Sequence, residues 1–310
     1  MPAAKQLRRW AGFHSILCAV DFSDHSRRAL LYAEAIARRG FGALHVVYAN
    51  DPLLIAAAAA ALRDRGVARR SRAELQTFVE GVLSVDSQKT LRIKVHAAVG
   101  HARDVILKTA SRTRAQLIVV GTQGLTGADR VVMGSTTMAV LQRSGVPVLA
   151  VPGRNPHAAS PEPSWPGPEI VAALELDAAS ADEADHASHI AEWFGASLRL
   201  VHVVDRLAPP LWLEADLTSV EKARTARAQK QIEKLAVAVR KRVNTTTRIL
   251  HGNAADELAA FADKSDTGLI VTALRERDGW FGARRGSISY HMLTRATVPV
   301  LAYPPRWRPR

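Results

Sequence analysis

The 310-residue chain has a single cysteine, Cys18, only 5% aromatic residues and no apolar run of membrane-spanning length. A lone thiol excludes an internal disulfide framework and fits a reducing compartment. The longest apolar block, LLIAAAAAAL from Leu53 to Leu62, has ten residues, against the roughly 20 that a span requires. The opening MPAAKQLRRW followed by AGFHSILCAV has the basic-then-apolar order of a secretory leader. No small-residue cleavage site precedes DFSDHS, however, and the apolar run serves better as a first strand. The expectation is a cytoplasmic protein without a membrane partner. Acidic residues are scarce in one half only: residues 1–155 hold 22 Lys and Arg against 10 Asp and Glu, net +12, whereas residues 156–310 net +1. A basic half attracts polyanions, whether nucleotides, nucleic acid or acidic headgroups, or it is a solvated surface; charge alone does not choose among these.

What the chain does contain is a copy of itself. SILCAVDFSDHS (15–26) recurs as EIVAALELDAAS (169–180), ALHVVYAND (43–51) as LVHVVDRLA (200–208), LIVVGTQG (117–124) as LIVTALRE (269–276) and VPVLAVP (146–152) as VPVLAYP (298–304). The offsets of 154, 157, 152 and 152 residues define one fold used twice. Residues 1–153 form the first copy and 169–310 the second. Between them RNPHAASPEPSWPGP (154–168) holds five prolines in fifteen residues, a composition that suits a semi-rigid linker. Short β-branched runs alternate with helical patterns in each copy, as in SDHSRRALLYAEAIARRG, where Ala29, Leu30, Ala33, Ile36 and Ala37 share a face. A Ser or Asp cap opens that helix and Gly40 closes it. One long helix is expected over 53–83. The fold class is α/β: two tandem open parallel five-stranded sheets with helices on both faces, Rossmann-like. The last strands, VPVLAVP and VPVLAYP, would be edges, and edges need cover. The two copies are therefore expected to pack through them about a pseudo-two-fold axis.

Four glycines, at 121, 124, 127 and 134, crowd the stretch GTQGLTGADRVVMGSTT. It begins where the fourth strand ends and finishes where a helix begins, which is the ligand-binding edge of such a sheet. Gly134, Ser135 and Thr136 occupy a helix N-terminus, where free N–H groups and the helix dipole favour an anion. Gly121 and Gly124 lack side chains that would hold a phosphate chain off the backbone. The spacing is not that of a P-loop, since no Lys follows Gly134, and a dinucleotide fingerprint would follow the first strand, not the fourth. Asp21, at the end of the first strand, could accept from a ribose hydroxyl or an adenine amine; as a helix cap it is less well placed than Ser23 or Ser26.

Gly121 and Gly124, nine residues, then Gly134 and Ser135 satisfy G-x2-G-x9-G-[ST], and here the chain resembles the universal stress protein family over nearly its whole length. The resemblance implies an adenine nucleotide hydrolase-like fold and a bound nucleotide: ATP, or AMP or ADP, with Mg2+ as an optional companion. It also implies an aspartate after the first strand and a valine in the second strand near the adenosine, which are Asp21 and Val46 here. Ala19 and Val20, just before Asp21, complete the candidate site with Gly121, Gly124, Gly134, Ser135 and Thr136. The second copy departs from this pattern. Gly121 becomes Ala273, Gly124 becomes Glu276 and Asp21 becomes Glu175, although Gly286 and Ser287 remain. A carboxylate at Glu276 would repel phosphates, so the second site is expected to be empty or to bind something else.

Other signals are weaker. His186 and His189 with Asp182 and Asp185 share helical spacing and read as an exposed polar face; His45 and His202 read as one repeated packing position. Cys18 reads as an inert small hydrophobe. The basic ends KQLRRW and RWRPR could contact nucleic acid, a partner given low weight beside the nucleotide. No P-loop-type acid, base and lysine set is evident, and Asp129, within the loop, is the only nearby carboxylate that could reach a metal. The function expected is nucleotide-dependent binding or signalling in a stress response, with hydrolysis slow if it occurs and a homodimer open as a further partner. The alternatives are a ligand-free scaffold and a basic nucleic-acid binder.

Overall fold

The computed structural model describes residues 10–61, 66–122, 133–153, 161, 164–207, 217–265, 267–274, 276–277, 280–281 and 288–309. The first lobe runs β1 (Ser15–Ala19), α1 (Asp24–Arg39), β2 (Ala43–Asn50), α2 (Pro52–Ala61), α3 (Val67–Val82), α4 (Val85–Thr90), β3 (Arg92–Val99), α5 (Ala102–Thr113), β4 (Leu117–Gly121), α6 (Ser135–Arg143) and β5 (Val148–Val151). The second runs β6 (Glu169–Ala173), α7 (Ser180–Phe194), β7 (Ser197–Val204), α8 (Thr218–Val239), β8 (Thr245–His251), α9 (Ala254–Lys264), β9 (Thr267–Ala273), the short pair β10 (Glu276–Arg277) and β11 (Trp280–Phe281), α10 (Ile288–Arg295) and β12 (Val300–Tyr303). Each lobe supplies five parallel strands. They join into one ten-stranded sheet ordered β3-β2-β1-β4-β5-β12-β9-β6-β7-β8. Only the central pair is antiparallel: Val300 faces Ala150, Leu301 faces Leu149 and Ala302 faces Val148. Two edges that would otherwise offer free N–H and C=O groups thus satisfy one another.

The strands read as apolar runs because both faces are covered. Alternation along β1 sends Ile16 and Cys18 into one core and Leu17 into the other. The first core, under α1, α3, α7 and α8, is continuous across both lobes, and so is the second, under α5, α6, α9 and α10. Ser23 caps α1 by accepting from the Ser26 N–H at 3.2 Å, and Arg38 and Arg39 in the last turn complement the helix dipole. Cys18 lies wholly inside β1, where burial pushes its thiol pKa well up and keeps the thiolate from forming. Among the described residues, no helix is long and apolar enough to cross a membrane.

Three expectations need correction. The single helix over 53–83 is α2 and α3, with Gly66 at the N-cap of α3; glycine is a poor helix-interior residue and interrupts the pattern. His45 and His202 are not equivalent. Strand register pairs Ser15 with Ala43 and Glu169 with Ser197, so the offset in the second strand is 154 and His45 corresponds to Arg199. The HVV match is out of step by three residues. His45 instead meets His96 on β3, with Nδ1 3.0 Å from Nε2, whereas His202 Nδ1 donates to the Leu174 carbonyl at 2.8 Å. Finally, α7 does not present His186 to water. The ring is 4% exposed and packs on Tyr303 and Trp307, with centroids at 5.4 and 5.5 Å.

That histidine belongs to an aromatic seam between the lobes. Trp10 and Phe13, ahead of β1, lie 5.8 and 5.5 Å from Trp193 of α7, and Trp307 closes on Trp10 at 5.8 Å. Gly12 is required here: its φ is +91°, and a Cβ would fall 1.9 Å from the Trp193 ring. Arg39 sits over the rings of Trp193 and Phe194 and donates to the Trp193 carbonyl at 2.9 Å. The proline-rich segment takes part too, since Trp165 packs between Tyr32 and Phe194 and its Nε1 donates to the Gly268 carbonyl at 2.8 Å. The basic tail is held by Trp307 and by Arg308, which reaches Asp182 at 3.1 Å.

Phe13→Ala should cost about 3–5 kcal/mol, the usual range for deleting a buried aromatic ring, and should lower one shared melting transition in calorimetry instead of splitting it. Burial, then the Arg308 cation, pushes the His186 pKa down to about 4, with Asp185 and Asp182 only partly opposing this. The unfolded chain, with a histidine near pH 6.5, therefore binds more protons between pH about 4 and 6.5. Stability from His186 is complete above pH 6.5 and is lost as the pH falls toward 4. His45, His96 and His189 shift in the same direction. Melting temperature should fall from pH 7 to 4.5, and His186→Leu should fall less steeply than the parent protein.

Candidate functional site

A cleft of about 460 Å³ opens at the carboxyl ends of β1, β2 and β4 in the first lobe, a size suited to a small-molecule ligand. Ala19, Val47, Ile106 and Val120 make its apolar floor. The rim carries Asp21, Ser26, Tyr48, Asp51 and the start of α6. The Val20 N–H donates to the Val47 carbonyl at 3.0 Å and ties the end of β1 to β2. The chain then turns through Phe22, whose φ of 66° is left-handed and costs roughly 1–2 kcal/mol for a residue with a side chain. Two contacts offset that cost. Asp21 Oδ1 accepts from the Ser23 N–H at 3.1 Å and its Oγ at 2.5 Å, and the Phe22 ring packs on Tyr48 and Phe78 at 4.7 and 5.3 Å. The second lobe repeats the turn at Leu176, φ 58°.

At the opposite rim β4 ends in Gly121, and α6 opens at Ser135 with Gly134 as its N-cap. The Gly134 N–H donates to the Thr122 carbonyl at 2.8 Å, and Thr137 Oγ1 donates to the Gly121 carbonyl at 2.7 Å. These two bonds hold the α6 N-terminus against the end of the strand. Among the described residues no side chain caps that terminus, and its first turn contains no acidic residue. Gly134 has φ −57° and ψ 141°, a conformation open to any residue. A Cβ there would meet the Thr122 carbonyl at 3.5 Å and Thr137 Oγ1 at 3.9 Å, both ordinary contacts. Neither the backbone conformation nor the packing among the described residues demands glycine at this position.

Of the residues singled out by sequence, Ala19, Val20, Asp21, Gly121, Gly134, Ser135 and Thr136 line this one cleft. Val46 does not: it is fully buried in β2 opposite Cys18, in the core on the other face, while Val47 and Tyr48 face the cleft. Period-two alternation decides this, since adjacent residues point to opposite sides. Gly124, Gly127 and Asp129 lie outside the described residues. The motif could not point to Ser26, Asp51, Ala102, Ile106 or Thr137, which the fold brings in from α1, the β2–α2 turn, α5 and α6. In the second lobe, register places Ala273 where the first has Gly121. His202 stands at the place of Tyr48, and Glu276 begins the short antiparallel pair with β11. Gly286 and Ser287 lie outside the described residues.

Residues 12–152 and 168–304 each match the sequence model of the universal stress protein family. The chain belongs to that family. A universal stress protein of Thermus aquaticus is 31% identical over 140 residues, covering 45% of this chain and 98% of the relative. A functionally unknown protein of Pseudomonas aeruginosa superposes with a TM-score of 0.63 at 17% identity, covering 96% of this chain and 94% of that one. A universal stress protein of Archaeoglobus fulgidus does so with a TM-score of 0.56, also at 17% identity, over 93% and 95%. At these identities the two structures speak for the fold, which is thus that of a tandem universal stress protein. The two matched segments fall on the two lobes.

The hold of α6 on β4 can be tested apart from any ligand. Thr137→Val keeps shape but removes the donor to the Gly121 carbonyl, and should cost about 1–2 kcal/mol in urea unfolding.

Proposed function

We propose that this universal stress protein binds an adenine nucleotide in the first-lobe cleft and acts as a nucleotide-dependent binding or signalling module. The observation that carries this reading is Gly134, the N-cap of α6 facing a cleft, where a Cβ would meet only ordinary contacts among the described residues. A ligand pressed against the main chain explains it. The N–H groups of the first turn of α6, which have no partner within the helix, suit phosphate oxygens together with the Ser135 and Thr136 hydroxyls. Asp21 suits a ribose hydroxyl, and the floor of Ala19, Val47, Ile106 and Val120 suits an apolar ring face. ATP, ADP and AMP share these features, and Mg2+ would travel with the charged forms. A binding role fits better than catalysis because Asp21 accepts from both the N–H and hydroxyl of Ser23, which makes it a fixed acceptor more than a proton-taking base. The second lobe, with Ala273 in place of Gly121, is read as ligand-free and as a structural partner to the first. A ligand-free scaffold is the rival reading.

Isothermal titration with ATP separates the two. The parent protein should bind one equivalent, and Gly134→Ala should lose at least tenfold in affinity, about 1.4 kcal/mol, with an unchanged melting temperature. Equal affinities, or no heat with ATP, ADP or AMP, would remove the basis of the reading.

A further inference from the structure

The outer end of the first lobe carries a surface that the nucleotide cleft does not use. Helix α2, PLLIAAAAAA, has no charged or hydrogen-bonding side chain anywhere on it, and Leu53 and Leu54 are 81% and 60% exposed. An apolar helix normally belongs inside a protein, yet this one is held at the surface. Asp51 Oδ1 caps it by accepting from the Leu53 and Leu54 N–H groups at 2.7 and 3.2 Å.

Beside it the exposed charge is mainly basic. Helix α2 packs on α3, which exposes Arg69 and Arg72 at its start, with Glu74 and the cap Asp51 as exposed carboxylates. Helix α3 packs in turn on the edge strand β3 through Ile93 and Val95, and the exposed Arg92 and Lys94 lie on the other face of that strand. Among the described residues none of these four cations pairs with a carboxylate. His96, on the same face of β3 as Lys94, accepts at Nδ1 from Arg112 at 3.3 Å. Every charged neighbour that acts on His96 is basic, namely His45, Arg112, Arg72 and Lys94, and with burial as the largest cause its pKa falls to about 4. Protecting a sheet edge does not require this much charge. The opposite edge, β8, has Asn244 and Thr246 where β3 has Arg92 and Lys94.

We propose that α2, together with the cations at the start of the α3 helix it packs on, is a peripheral docking surface for a membrane bearing anionic phospholipid. Apolar side chains entering the headgroup boundary and unpaired cations over acidic headgroups are the two signals such binding needs. A second copy of the chain fits poorly, since it would bring one basic lobe of formal charge +12 against another. Nucleic acid would use the cations but leave the apolar helix without a role. The helix lies on the membrane and does not cross it: ten residues span about 15 Å, half the hydrocarbon thickness.

The test is flotation of the full chain with vesicles of phosphatidylcholine alone or with about a third phosphatidylserine. The parent protein should float with the anionic vesicles at least tenfold better than with neutral ones, and high salt should weaken this. Leu53→Glu with Leu54→Glu, at exposed positions that leave the fold intact by melting temperature, should lose at least tenfold of the anionic binding. Arg69→Glu with Arg72→Glu should lose the preference for anionic vesicles. Equal flotation with both compositions, flotation indifferent to the leucine pair, or none at all would overturn the proposal. Binding of duplex DNA that is insensitive to the leucine pair, with vesicles left unbound, would overturn it in favour of nucleic acid.

Discussion

Three residue pairs, Val300 with Ala150, Leu301 with Leu149 and Ala302 with Val148, turn two five-stranded sheets into one. Each lobe alone would end in a short, flat, fully apolar strand, VLAV or VLAY, the kind of edge that recruits another chain. Pairing the two inside one molecule satisfies those edges at a high effective concentration set by the connecting segment. It also aligns the faces of the lobes, so each layer of helices covers a core common to both. The seam of Trp10, Phe13, Trp193, Trp307 and His186 is the consequence on one face. The amino-terminal segment lies against a helix of the second lobe, and the carboxy-terminal tail lies against the amino-terminal segment.

This shared scaffold lets the lobes diverge. The second lobe carries Ala273 at the place of Gly121, and His202 hydrogen-bonded to the Leu174 carbonyl at the place of Tyr48. The first lobe has Gly121 and the start of α6 on the rim of its cleft. The same divergence is visible in formal charge, net +12 over residues 1–155 and +1 over 156–310.

The sequence revealed architecture better than side-chain direction. Repeated apolar runs at a nearly constant step were enough for two α/β lobes joined through their last strands, because strand burial is written in composition and alternation. The placement of Asp21, Gly121, Gly134, Ser135 and Thr136 in one cleft followed from their positions at strand ends and a helix start, which topology brings together. Val46 shows where this stops: the motif names a place in the second strand, but the pleat decides that Val47 faces the cleft. The HVV repeat misled for a related reason, since three matching letters outweighed a register set by backbone pairing. His186 was legible as neither core nor site, because histidine and aspartate at helical spacing look solvated until Trp307, over a hundred residues away, packs on the His186 ring.

The central claim is that main-chain amides at the start of α6 receive the phosphates of a nucleotide held in the first lobe alone. Amide-resolved NMR during titration with ATP tests it most directly. The account predicts shifts concentrated at Asp21, Gly121, Gly134, Ser135 and Thr136, with Glu175 and Ala273 unmoved. Shifts centred on the second lobe, or a spectrum that ATP leaves unchanged, would contradict it.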